Sequence, residues 1–166
     1  MTIIFRLIQD KDQEKPFTTS RESFNKENPS ETLKEFYHKS SKYKTFVLEK
    51  DNKIIGIARY KEEKYRIGKF NQIFYISRVG VKKGFENKGY GKLMYTQITN
   101  KIFEMIDFSK SFCIYFSIPE EDITFWINYL KKIRDLITIS QIKYDEIWGN
   151  YYIIKIISKV NNKDNS

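Results

Sequence analysis

The chain has 166 residues, a formal net charge of +9, an aromatic share of 16%, one cysteine and one histidine. That length suits a single domain with its own core, expected over residues 1–159 with a polar, frayed tail over 160–166, and the scarcity of Cys and His excludes a disulfide framework and a Cys/His zinc cluster. The positive charge favours polyanions in general, whether nucleic acid, an acidic membrane surface or a phosphorylated cofactor, without choosing among them.

The chain opens with MTIIFRLIQDKDQ, whose apolar run is too short for a signal-peptide core and is followed by acidic residues. No run approaches the roughly eighteen apolar residues of a membrane helix. With the lone Cys113 fitting a reducing compartment, a soluble cytoplasmic protein with no membrane partner is expected.

In chain order, Thr2–Ile8 alternates as a first strand and Asp10–Lys15 breaks it. A helix is expected from Phe17 to Glu27, interrupted by Asn28-Pro29. Ser30 then reads as the N-cap of a second helix, ETLKEFYHK, with Leu33, Phe36 and Tyr37 on one face. Lys44–Glu49 and Lys53–Tyr60 are strands joined through Asp51-Asn52, a hairpin turn. The charged stretch KEEKYRIGK connects them to a strand over Phe70–Val81. After the loop GFENKGYG, a helix over Lys92–Asp107 places Leu93, Met94, Ile98, Ile102, Met105 and Ile106 at helical spacing.

Phe112–Ser117 is apolar on both alternating sets, as in a strand covered on both faces. Pro119-Glu120-Glu121-Asp122 suits a helix start, continued by Phe125, Trp126, Tyr129, Leu130 and Ile133. Leu136–Tyr144 and Tyr151–Ile157 close the fold as strands. This order implies an α/β (α+β) domain, a mixed sheet with helices on both faces.

The loop between the Phe70–Val81 strand and the next helix has the most defined chemistry. Gly89 and Gly91, interleaved with Lys88 and Lys92, suggest backbone N–H groups turned toward an anion at a helix N-terminus. A Walker A loop needs G-x-x-x-x-G-K-S/T. Gly84 and Gly89 have that separation, but Tyr90 and Gly91 stand at the Lys and Ser/Thr positions. A dinucleotide fingerprint places its third glycine on Met94, and no early βαβ unit surrounds it.

Val79-Gly80-Val81 followed by Glu86-Asn87-Lys88-Gly89-Tyr90-Gly91 resembles the acetyl-CoA motif of the GCN5-related N-acetyltransferases, a V-x-V strand end leading to R/Q-x-x-G-x-G/A at a helix start. The motif covers about Ile76 to Tyr95, and the element order is similar over nearly the whole chain. The resemblance implies an acyl-CoA N-acyltransferase-like, mostly antiparallel central sheet with acetyl-CoA as cosubstrate and no metal. Val79, Gly80 and Val81 would carry the pantetheine, and Glu86, Asn87, Lys88, Gly89, Tyr90, Gly91 and Lys92 would surround the pyrophosphate. Lys82 or Lys83 would add charge. Glu86 stands where the pattern has Arg or Gln, so its carboxylate is expected to turn away from phosphate, toward Lys83 or Lys88.

Similar enzymes often use a strand carboxylate or water as base and a tyrosine on the helix after the fifth strand as acid. That tyrosine position is Trp126 here, and an indole offers only an N–H donor. Tyr129, Tyr115 and Ser117 are the alternative donors, each with a packing role as its plainer reading. Glu120, with Glu121 and Asp122, is the candidate base, set against a helix-start role. Tyr75 or Ser77 could face the cleft, Glu62 and Glu63 read as solvated loop charge, and Arg59 and Arg78 are pocket or CoA-contact candidates. His38 reads as a surface cation and Cys113 as a small buried hydrophobe.

The resulting expectation is transfer of acetyl from acetyl-CoA directly to a primary amine of a small molecule or peptide. A homodimer is among the assemblies the sequence permits. The competing reading is a noncatalytic module whose basic surface binds an acidic partner or nucleic acid. The absence of an RNP motif, a helix-turn-helix or an arginine-rich tail argues against nucleic acid.

Overall fold

The structure, a computed structural model, describes residues 1–18, 32–37, 42–64, 69–119, 123–130, 137–145 and 149–158. It divides into two compact units, one of Met1–Lys61 with Ile76–Met105 and the other of Glu62–Tyr75 with Ile106–Ser166. The fourth strand, β4 (Gln72–Val81), contributes to both.

In the first unit, β1 (Ile3–Leu7) pairs antiparallel with β2 (Tyr43–Lys50), which pairs antiparallel with β3 (Lys53–Glu62). The β2–β3 turn places Asp51 at φ 46° and Asn52 at φ 64°. Two left-handed central residues match the right-handed twist of the flanking strands, which is why a short Asp-Asn connection serves here. Thr2 N–H donates to Asp51 Oδ1 at 3.0 Å and Asp51 N–H to Thr2 O at 3.0 Å, tying the turn to the start of the chain.

Both faces of β2 and β3 are covered. On one side Phe17, Leu33, Phe36, Val47, Ile54 and Ile57 form a buried cluster; full burial of such a side chain contributes roughly 1.5–3 kcal/mol. Phe46 stacks against Phe5 at 5.1 Å and Tyr60 at 6.2 Å. Helix α1 (Tyr90–Phe103) buries Met94, Ile98, Thr99 and Ile102. A Cβ at Gly56 would lie 2.5 Å from Met94 Sδ, so β3 needs glycine where the methionine rests.

Asp10–Lys15 does interrupt β1. It contains a 3-10 turn, Asp10–Asp12, in which Asp12 is fully buried and meets Arg6 at 2.7 Å and Lys15 at 3.1 Å. Arg6 also reaches Glu49 at 2.6 Å.

Two expected helices differ. The segment after Ser30 contains only a 3-10 turn, Leu33–Phe36, capped by Thr32, whose side chain accepts from Lys34 N–H. Tyr37 is already extended, and its N–H bonds back to Lys34 O, closing the tighter turn. Leu33 and Phe36 are buried as expected because positions three apart share a face in either helix type. Ser30 and most of Phe17–Glu27 lie outside the described residues. Helix α1 starts two residues earlier than expected and stops at Phe103. Beyond it, Asp107 Oδ1 accepts from Ser109 N–H at 3.0 Å and Ser109 Oγ at 2.6 Å, a local bond that competes with helix continuation.

In the second unit, Gln72–Tyr75 of β4 pair parallel with β5 (Phe112–Pro119), β5 pairs antiparallel with β7 (Gly149–Ile157), and β7 antiparallel with β6 (Ile137–Asp145). Pro119 ends β5 opposite Tyr151 instead of opening a helix, and α2 runs over Ile123–Leu130. Glu120, Glu121, Asp122 and the 160–166 tail fall outside the described residues. One parallel pair among antiparallel ones makes the sheet mixed and mostly antiparallel, as expected. A parallel pair needs a long connection, and α1 lies in the one between β4 and β5.

Candidate functional site

After Val81 the backbone is held at once, by Lys82 N–H to Ile55 O at 2.8 Å and Lys83 N–H to Thr18 O at 2.9 Å. It then curls through three positive φ values, at Gly84 (90°), Asn87 (58°) and Gly89 (81°). Gly89 is the N-cap of α1, and the first helical bond is Leu93 N–H to Gly89 O at 3.0 Å. The amides of Tyr90, Gly91 and Lys92 therefore precede the first intrahelical bond, at the positive end of the helix dipole. A Cβ at Gly89 would meet nothing within 4 Å, so the space over the cap is open and the left-handed backbone, not crowding, is what calls for glycine. A Cβ at Gly91 would make only ordinary contact with Val81 at 3.8 Å.

Glu86 turns back into its own loop, where its carboxylate accepts Gly84 N–H at 2.6 Å. Lys88 Nζ reaches Gly84 O at 3.5 Å and lies 5.4 Å from the Phe85 ring. Gly84 N–H is thus one contact by which the Glu86 carboxylate is held. Lys83, Lys88, Gly89 and Lys92 are exposed.

A lysine not singled out in the sequence joins this loop. Lys50 Nζ, at the end of β2, donates to Tyr90 Oη at 2.8 Å, and that bond holds its ammonium above the usual lysine range. Its 5.5 Å separation from the ring centroid is what an in-plane hydroxyl contact produces, so this is a hydrogen bond and not a cation over a π face.

Elsewhere in the first unit, cations gather on two aromatic rings. Arg59 Cζ lies 4.3 Å from the Tyr43 centroid and 6.0 Å from that of Phe36, while Arg78 Cζ lies 4.8 Å from Phe36. Lys42 and Lys61 stand 5.6 and 5.7 Å from Tyr43. Burial pushes the Arg78 pKa below its ordinary value. Ser77 Oγ donates to Arg59 O at 3.4 Å.

In the second unit, Tyr115 on β5 donates its phenol proton to Glu63 Oε1 at 3.2 Å and stacks on Tyr75 at 4.7 Å. Burial first, and then the Glu63 carboxylate, push the Tyr115 pKa well above the usual phenol range. Glu63 is thus a hydrogen-bonded, half-exposed carboxylate, unlike the solvated charge its loop position suggests. Ser117 is exposed on β5. Tyr129 belongs to α2, whereas Glu120 and His38 lie outside the described residues. Cys113 is buried, and burial pushes its thiol up to about 11, which leaves it a poor nucleophile. Among the described residues no helix is long and apolar enough to cross a membrane, and no group of three or more His, Cys, Asp or Glu could hold a metal.

Comparison with known proteins agrees with the motif. The family model described as acetyltransferase (GNAT) family matches residues 7–116. No curated protein sequence matches the chain significantly. Among solved structures, a GNAT-family acetyltransferase from Streptococcus pneumoniae is 16% identical with TM-score 0.59, over 95% of this chain and 100% of that one. A ribosomal-protein alanine N-acetyltransferase from Escherichia coli is 9% identical with TM-score 0.59, over 98% of each chain. A KacTA–DNA complex gives 13% identity and TM-score 0.61, over 95% of this chain and 94% of that one. At these identities the structures establish a shared fold.

Proposed function

The chain belongs to the acetyltransferase (GNAT) family, and from that premise we propose that it moves an acetyl group from acetyl-CoA directly to a primary amine of a small molecule or peptide. The observation that carries this reading is the curl at Gly84, Asn87 and Gly89 that delivers open space and first-turn amides at the start of α1. Bound acetyl-CoA supplies the activated thioester. The backbone of Val79, Gly80 and Val81 is the proposed partner of the pantetheine amides, and N–H groups from Asn87 through Lys92 that of the pyrophosphate. Lys50, Lys82, Lys83, Lys88 and Lys92 add positive charge, screened by solvent where exposed.

Transfer needs a neutral amine, a route for its proton, and a donor for the negative charge that develops as the C–S bond breaks. We assign the donor role to Tyr115 and the base role to Glu63. Tyr115 stays a phenol because loss of its proton would put a phenolate beside a carboxylate in a partly dry place. A hydrogen bond to developing charge suits it better than full surrender of the proton. Glu63 is a carboxylate able to take the amine proton directly or through water. Ser117, Glu120 and Tyr129 stand as proposals from the sequence alone.

Thiol release from acetyl-CoA over a panel of primary amines and short peptides tests this reading. The expected result is release that requires both acetyl-CoA and an amine. Binding of acetyl-CoA with no amine-dependent release across the panel overturns the catalytic part.

A further inference from the structure

Tyr115 is held at two points, its ring and its hydroxyl. Tyr75 and Tyr115 are direct partners in the parallel register of β4 and β5, so their side chains leave the same face of the sheet, and theirs is the last rung of that ladder. The two rings stack with centroids 4.7 Å apart and planes 19° from parallel. The Tyr115 phenol donates to Glu63 Oε1 at 3.2 Å, while Glu63 N–H donates to Ile73 O at 2.8 Å. The carboxylate is thereby tied to β4 two positions before Tyr75, and one strand presents both the surface under the ring and the anchor of its hydrogen-bond acceptor. Across the other ladder Tyr115 faces Lys155 of β7.

The two holds differ in what they constrain. At 3.2 Å the phenol–carboxylate bond is long for an O–H donor, so by itself it leaves the ring free to swing about its tip through both side-chain torsions. A nearly parallel ring at stacking distance removes that freedom, and such pairs favour the stacked arrangement by a factor of about two to ten beyond the area they bury. We propose that Tyr75 is a positioning residue of this site, its ring fixing the orientation of Tyr115 so that the phenol is kept on Glu63 and presented from one place during transfer. The raised Tyr115 pKa agrees with a held ring, since burial is its largest cause and the Glu63 carboxylate and Tyr75 follow. The consequence for rate rests on the donor role proposed for Tyr115, whereas the consequence for the ring rests on the stack alone.

The test combines steady-state kinetics with carbon NMR of the full chain labelled at its tyrosine rings, the Tyr115 signal being identified by its loss in Tyr115→Phe. In the wild type that signal should remain that of a phenol at pH 10.0, where an ordinary tyrosine is half ionised. Tyr75→Leu, which keeps an apolar side chain and removes the ring, should bring the Tyr115 midpoint down toward that value. The same variant should lower kcat by about threefold to tenfold, with KM for acetyl-CoA within about twofold. Tyr75→Phe, which keeps the ring and loses the hydroxyl, should hold the Tyr115 midpoint up and retain most of kcat. A role in packing alone would leave Tyr115 titrating as in the wild type.

An unchanged Tyr115 titration in Tyr75→Leu overturns the proposal. So does a loss in Tyr75→Phe equal to that in Tyr75→Leu, which would assign the effect to the Tyr75 hydroxyl and not to its ring. In an active enzyme, a shifted titration with unchanged kcat overturns the link from ring to rate. If the wild type transfers no acetyl group, the catalytic reading fails separately. The Tyr115 titration in the two Tyr75 variants then still decides whether Tyr75 fixes the ring.

Discussion

The Glu86 carboxylate accepts the backbone N–H of Gly84 at 2.6 Å, so the acid that stands in place of the family's Arg or Gln is engaged in shaping the loop. A glutamine there keeps an oxygen for Gly84 N–H and removes one negative charge beside the proposed pyrophosphate position. Glu86→Gln should therefore tighten acetyl-CoA by about threefold to tenfold at low salt, with a smaller gain at high salt. Glu86→Ala, which loses the bond as well, should bind more weakly than Glu86→Gln. Calorimetry at two ionic strengths checks both orders. Equal affinities for the three proteins would show that the carboxylate is neither staple nor repulsive charge.

Tyr115 and Glu63 give a second prediction. Tyr115→Phe should lower kcat by about tenfold or more with little change in KM for acetyl-CoA, since the role proposed for the phenol is in the transfer and not in cofactor binding. Its raised pKa keeps the phenol protonated past the ordinary value of 10.0, so no alkaline loss of kcat should come from Tyr115 below that pH. Glu63→Gln removes the carboxylate that helps raise it, and the Tyr115 titration followed by carbon NMR should move down. An unchanged kcat in Tyr115→Phe removes Tyr115 from the mechanism.

Asp12 anchors the turn after β1 through Arg6, Lys15 and the N–H of Gln9. Burial alone would raise its pKa, but these hydrogen bonds outweigh it and hold the carboxyl well below its ordinary 3.8. A depressed carboxyl contributes stability that is fully present above its unfolded value and lost as pH falls toward the folded one. Unfolding free energy should thus decline on acidification below about pH 4. Asp12→Ala should cost about 3 kcal/mol at neutral pH and flatten that acid decline. Urea unfolding at neutral and acid pH measures both, and a cost under about 1 kcal/mol would mean that the network carries little.

What was legible in the sequence was local. The Asp51-Asn52 hairpin follows from turn chemistry, the β5 pattern from its apolar run, and the start of α1, to within two residues, from glycines at a change of period. Helix type in the Leu33–Phe36 turn was not legible, because α and 3-10 turns both bury residues three apart, and only the hydrogen bond from Tyr37 N–H to Lys34 O separates them. Nor were Lys50 beside Tyr90 or Glu63 beside Tyr115, partners separated by 40 and 52 residues that only the tertiary fold brings together. Glu86 was expected to turn toward Lys83 or Lys88, and its carboxylate accepts Gly84 N–H. A bond to a backbone N–H two residues back leaves no mark in side-chain identity.

The central claim is that the Gly89 cap holds the phosphates of acetyl-CoA, and calorimetry with acetyl-CoA on the wild-type chain and Gly89→Asp tests it most directly. Aspartate is among the side chains that tolerate a left-handed backbone, and a Cβ at this position meets nothing within 4 Å, so the variant should fold while placing a negative charge at the cradle. The expected result is saturable one-to-one binding by the wild type and affinity at least about tenfold weaker in the variant, with circular dichroism unchanged. No binding by the wild type at millimolar acetyl-CoA, or undiminished affinity in Gly89→Asp, would contradict it.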